Sequence, residues 1–95
     1  MEKKPLKAPK LFIENGAEAV ALRKKLAINQ ADFWARVKAT QSGGSRYEHG
    51  RNIPKAMLYL LHFAYAPEKR AQQLLTYLRD VEINTTQRIY FSKEA

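Results

Sequence analysis

The sequence contains no cysteine, so neither a disulfide nor a thiolate metal site can hold it together. A chain of 95 residues is long enough for one domain and too short for two. A protein of this size buries only about 60–65% of the surface that its unfolded chain exposes. Cohesion must come from one apolar core or from a second copy of the chain, and there is little room for a deep catalytic cleft. Apolar residues make up 45% of the sequence, as in ordinary globular proteins, which argues against wholesale disorder.

The charge is lopsided: Lys and Arg number 17 against 9 Asp and Glu, a net +8. Such a surplus suits a polyanion, nucleic acid first and an anionic membrane surface second. Solubility alone is the alternative. No apolar run approaches the roughly 20 residues that span a bilayer. The basic N-terminus lacks the apolar stretch of a signal peptide, so the protein is expected in the cytoplasm.

Residues 1–14 read as a basic arm, with Lys3, Lys4, Lys7 and Lys10 between Pro5 and Pro9, followed by the short apolar run Leu11-Phe12-Ile13. A first helix should begin near Asn15, a good N-cap with Glu18 three residues on. Ala19, Leu22, Leu26 and Val20 recur at helical spacing. Asn29 should cap a second helix, with Asp32 three residues on and Phe33, Trp34 and Val37 facing inward. After a break at Lys38 and Ala39, Thr40 should cap a third helix, Gln41 to Glu48, that stops at Gly50. Gly43 and Gly44 lie inside it. Each costs about 1 kcal/mol relative to Ala, so only packing can hold this segment helical.

Pro54 fits the first position of a fourth helix reaching Tyr65, apolar nearly all round and so expected to be buried on more than one side. Pro67 opens a fifth, to Val81, with Leu74, Leu75, Leu78 and Val81 on one face. Residues 82–95 form a tail with an apolar patch at Ile89, Tyr90 and Phe91.

The stretch from Ile28 to Pro54 carries the informative pattern. Asn29-Gln30 opens the second helix and Thr40-Gln41 the third. Ser45-Arg46-Tyr47-Glu48-His49-Gly50 closes the third, and Arg51 to Pro54 leads into the fourth. This resembles the helix-turn-helix of the Cro and phage-repressor family, the lambda-repressor-like fold, over Asn15 to Tyr65. The fold implied is all-α: a five-helix lambda-repressor-like DNA-binding domain over residues 15–81, between the basic arm and the tail.

The resemblance implies that the third helix enters the major groove of double-stranded DNA. Gln41, Ser42, Ser45 and Arg46 would then read bases. Gln pairs bidentately with adenine and Arg with guanine. Gln30, Thr40, Arg51 and Asn52 would hold phosphates, with Gly43, His49 and Lys55 completing the set along the DNA backbone. A merely solvated polar face is the competing account. Tyr47 is expected in the core. Glu48 is expected to accept hydrogen bonds, orienting Arg51 or Arg36, or simply to end the helix.

Three departures from the family pattern stand out. A large Trp34 occupies a position that is usually small, and Gly44 one that usually holds Ile or Val. A paired exchange preserves packing density, so the Trp34 indole is expected to fill the space left at Gly44. The alternative is an exposed Trp34 and a third helix frayed until DNA binds. Lys38 stands where a turn glycine is usual, which requires an unusual backbone angle or a different turn.

His49 and His62 are far apart and lack a carboxylate cluster, so no metal site is expected. No nucleophile–base pair, P-loop or dinucleotide fingerprint is present. Neither catalysis nor a cofactor is expected. One short reading helix spans few base pairs, so a homodimer on a two-fold site is expected. The fourth and fifth helices and the tail patch are candidate contacts. A protein-interaction module is the main alternative, an antitoxin or adaptor whose partner covers the fifth helix and the tail. A charge-only binder of RNA or membrane is a third possibility.

Overall fold

The computed structural model describes residues 7–80. Lys3, Lys4, Val81 and the patch at Ile89, Tyr90 and Phe91 lie outside the described residues. Those described form five α-helices and no strand: α1 Gly16–Lys25, α2 Gln30–Ala35, α3 Gln41–Glu48, α4 Lys55–Tyr65 and α5 Glu68–Asp80. The all-α fold expected from the sequence is the one adopted.

Side-chain caps start the first three helices. Asn15 accepts from the Glu18 amide at 2.9 Å, Asn29 from the Asp32 amide at 2.8 Å, and Thr40 from the Gly43 amide at 2.9 Å. Each satisfies an amide with no partner inside the helix. The Glu18 carboxylate reaches back to the amide of Glu14, one residue before the cap. Pro54 caps α4 and is not its first turn, and α5 begins one residue after Pro67.

The same three helices also stop alike. In each, two amides past the end return to carbonyls of the last turn: Ala27 to Lys24 and Ile28 to Arg23, Lys38 to Ala35 and Ala39 to Trp34, Gly50 to Tyr47 and Arg51 to Arg46. This Schellman arrangement needs one left-handed residue. Those residues are Ala27 (φ 57°), Lys38 (φ 66°) and Gly50 (φ 113°). Lys38 thus takes the unusual backbone angle that its place in the turn demands, and Ala27 takes one that the sequence did not announce.

The core consists of Leu11, Ile13, Ala19, Phe33, Trp34, Val37, Leu58, Leu61 and Leu74. α3 packs on α2 and α1, and α4 packs on α5. Phe33 joins α2 to α4: its ring stacks on Tyr65 at 4.4 Å, and the Tyr65 hydroxyl donates to the Phe33 carbonyl at 2.7 Å. Burial of that hydroxyl raises its pKa, with Arg36, whose guanidinium lies 5.1 Å from the Tyr65 ring centre, pulling the other way.

Three inward assignments are corrected. Leu26 ends α1 45% exposed, because the turn at Ala27 carries the chain away from the core. α4 buries Leu58, Leu61 and His62 but leaves Leu60 and Phe63 exposed, so it is sealed on one side only. Leu75 is 40% exposed on α5, because Leu74 takes the inward position.

His62 is fully buried. Its Nδ1 accepts from the Phe12 amide at 3.0 Å, and its Nε2 lies 3.0 Å from the Arg70 carbonyl. A neutral imidazole with its proton on Nε2 satisfies both. Arg70 adds a 2.8 Å hydrogen bond to the Lys10 carbonyl and sits over the Phe12 ring. The run from Leu11 to Ile13 is thereby strapped across α4 and α5.

Candidate nucleic-acid interface

α3 is a full two-turn helix despite Gly43 and Gly44, and tertiary packing explains it. Gly44 is buried, and a Cβ on it would fall among the ring atoms of Trp34. Trp34 itself has no solvent exposure and lies 5.4 Å from the Tyr47 ring centre. The exchange of large and small residues is therefore real, and the exposed-Trp34 alternative is set aside. A second close approach joins α1 to α3 at Gly16. A Cβ on Gly16 would meet the Tyr47 carbonyl carbon at 3.0 Å and the Glu48 Cα at 3.5 Å, so the start of α1 abuts the end of α3. Gly16 was legible only as a residue following a cap.

The outer side of α3 is polar. Gln41, Ser42 and Arg46 are exposed, while Ser45 is half-buried. His49 is exposed, with Nδ1 2.7 Å from the Ser45 carbonyl. That contact makes Nδ1 the protonated nitrogen, so a neutral His49 could present only an acceptor from Nε2. Thr40 is exposed; its oxygen accepts from Gly43, and its own proton stays available. The Gly43 amide is committed to that cap, which leaves its missing side chain as its contribution. Arg51, Asn52 and Lys55 are all exposed on the segment after α3.

Glu48 is the one carboxylate between Gln41 and Lys55, and its side chain is only 5% exposed. Oε2 accepts from Arg23 Nε at 2.8 Å and from Trp34 Nε1 at 2.8 Å. Oε1 accepts from Arg23 Nη2 at 2.9 Å and from Gln30 Nε2 at 3.0 Å. Burial pushes the Glu48 pKa up, but the hydrogen bonds from Arg23, Trp34 and Gln30 outweigh it, and the net shift is downward. The same pairing holds the Arg23 pKa above its ordinary value against a smaller opposing effect of burial. Its partner is thus Arg23 of α1, and neither Arg51 nor Arg36 as expected. Sequence spacing gave no sign of this, since the pair is joined only when α1 packs on α3. With Glu48 drawn inward and neutralised, the exposed charges from Gln41 to Lys55 are Arg46, Arg51 and Lys55.

Gln30, half-buried at the start of α2, stands between Glu48 and Gln41. Its carbonyl oxygen lies 3.5 Å from Gln41 Nε2. The structure thus brings Gln30, Thr40 and Gln41 together at the corner between α2 and α3, with Arg51, Asn52 and Lys55 at the other end of α3.

Residues 20–64 match the sequence profile of the RsaL-like HTH domain. That stretch is similar to an RsaL-like helix-turn-helix domain. Comparison with curated proteins and with solved structures yields no match. The RsaL-like match spans α2, the turn at Lys38, and α3, and is related to the phage-repressor type. A domain of this kind marks a DNA-binding transcription regulator. Among the described residues, no helix is long and apolar enough to cross a membrane, and no group of His, Asp and Glu is placed to hold a metal ion.

Proposed function

We propose that the protein is a transcriptional repressor acting in the cytoplasm as a homodimer, reading the major groove of double-stranded DNA with α3. Gln41, Ser42, Ser45 and Arg46 read bases. Gln30, Thr40, Arg51, Asn52 and Lys55 hold the DNA backbone, His49 touches it, and Gly43 lets it approach closely. The observation that carries this reading is an exposed polar α3 edge whose single carboxylate is turned inward and paired. A groove lined with phosphates repels an exposed carboxylate and attracts what remains.

Residues 15–81 act as the DNA-binding unit. The basic arm, residues 1–14, follows the DNA backbone, and 82–95 form an accessory tail. Two copies give the contact area that one short helix lacks. Leu60 and Phe63 on α4 and Leu75 on α5, each at least 37% exposed, offer apolar surface for the second copy.

Selection of bound sites from a random duplex pool tests the proposal. A two-fold symmetric site is expected, bound by two chains, and lost on combining Gln41→Ala with Arg46→Ala. A reporter with that site over its promoter should be silenced. Binding that ignores sequence would overturn base reading, and activation of the reporter would overturn repression. The exposed Leu75 also suits a second reading, an antitoxin or adaptor whose partner covers α5. On that reading the Gln41→Ala, Arg46→Ala protein keeps its function.

A further inference from the structure

Among the described residues the asparagines are Asn15, Asn29 and Asn52, and all are exposed. Gln30 and Ile53 follow the last two, whereas Gly16 follows Asn15. Glycine has no Cβ to shield its backbone nitrogen, so that nitrogen can come up to the carboxamide before it. As the first residue of α1, Gly16 has one of the four amides that find no carbonyl inside a helix. At Asn29 the carboxamide nitrogen donates to Asp32 at 3.1 Å, which ties down the group that would have to leave.

The cap bond of Asn15 bears on the same chemistry. Its Oδ1 accepts from the Glu18 amide at 2.9 Å. A donor on that oxygen, at the positive end of a helix, stabilises the negative charge that gathers there when a nucleophile adds to Cγ. The backbone is the restraint. Asn15 is extended (φ −159°, ψ 174°) and must rotate about its Cα–C bond to bring the Gly16 nitrogen to Cγ. Fraying of the first turn supplies that rotation.

We propose that Asn15 is a site of spontaneous deamidation. A solvent base takes the Gly16 amide proton, and the Gly16 nitrogen bonds to Asn15 Cγ. The Cγ–Nδ2 bond breaks, and Nδ2 leaves with a solvent proton as ammonia. Water then opens the succinimide at either carbonyl carbon. Opening at Cγ gives aspartate. Opening at the main-chain carbon gives isoaspartate, whose chain runs through Cβ and is one atom longer. Aspartate caps as well as asparagine, and its charge suits the start of a helix. Isoaspartate displaces Gly16, where there is no room: a Cβ there already meets the Tyr47 carbonyl carbon at 3.0 Å and the Glu48 Cα at 3.5 Å. The start of α1 is then levered off the end of α3, which parts Arg23 from Glu48.

The test incubates the full folded chain at mildly alkaline pH beside a sample in urea and follows each asparagine by peptide mass spectrometry. In the folded chain Asn15 should lose ammonia and gain water before Asn29 or Asn52, more slowly than in urea, with isoaspartate among the products. Asn15→Ser, another good cap, should abolish the change. Aged wild-type protein should gain a second, lower melting transition in proportion to its isoaspartate. Asn15→Asp has the charge of the products on an ordinary backbone and should melt no lower than fresh wild type.

A folded chain that keeps Asn15 intact while the urea sample converts, or that converts Asn29 or Asn52 first, overturns the assignment. Isoaspartate-bearing protein that melts as Asn15→Asp does overturns the displacement at Gly16.

Discussion

Gly44 and Trp34 share one volume: a Cβ added to Gly44 would lie 2.7 Å from the indole Cδ2 and nearer still to other ring atoms. The pair must change together. Gly44→Val should cost about 1–3 kcal/mol or more from overpacking, and Trp34→Ala about 3–5 kcal/mol from the cavity. The double variant should be more stable than the sum of the two predicts by at least about 1 kcal/mol. Urea denaturation of all four proteins measures this, and strict additivity would refute the shared volume.

The Glu48 pairing makes stability acid-sensitive. The folded-state pKa of Glu48 lies below its ordinary value of 4.5. Its contribution is therefore complete above pH 4.5 and is lost as the pH falls through the lower, folded-state value. Trp34 is the single tryptophan and donates to this carboxylate, so its fluorescence reports the loss. A Glu48→Gln protein should show a smaller acid step in both fluorescence and melting temperature. Equal steps in the two proteins would refute the assignment.

Two left-handed residues carry a Cβ that their conformation disfavours. Ala27→Gly and Lys38→Gly should each stabilise the fold by about 1 kcal/mol, the cost of a left-handed L-residue outweighing the entropy lost by glycine. Raised thermal midpoints are the check. A fall at Lys38 would mean that its side chain contributes more than its backbone costs.

Removing the imidazole at the strap leaves buried backbone groups unpaired. His62→Phe should cost about 1–3 kcal/mol for the groups orphaned. Hydrogen exchange at the Phe12 amide should quicken far more than at α2. Unchanged protection of Phe12 would contradict the strap.

The proposed DNA contacts separate by salt. Arg51→Ala and Lys55→Ala should each weaken binding to all duplexes alike and flatten the log–log salt dependence by about 0.9. Arg46→Ala should chiefly erase a preference at one base pair. Fluorescence anisotropy across a salt series tells the two outcomes apart.

What could be read in advance follows from how local each determinant is. Asn15, Asn29 and Thr40 announce helix starts because a cap bonds an amide three residues away. The inward set Phe33, Trp34 and Val37 was legible from periodicity, and the Trp34–Gly44 exchange from two departures that cancel in volume. The Arg23–Glu48 pair was not, since it joins residues 25 apart in the chain and depends on how α1 crosses α3. Gly16 and Ala27 were missed for a related reason: one meets a backbone from another helix, and the other spends strain that only the finished turn repays. The burial of His62 was not legible because both of its partners are backbone groups, which no side-chain motif reveals.

The strap at His62 bears on where the folding unit ends. Leu11, Ile13 and Leu74 are all buried, yet all fall outside residues 20–64, the stretch recognisable as the family's domain. A fragment cut to that stretch would keep α3 on paper and lose three of the side chains that close the core. The part that can be recognised and the part that can stand alone are different lengths of the same chain.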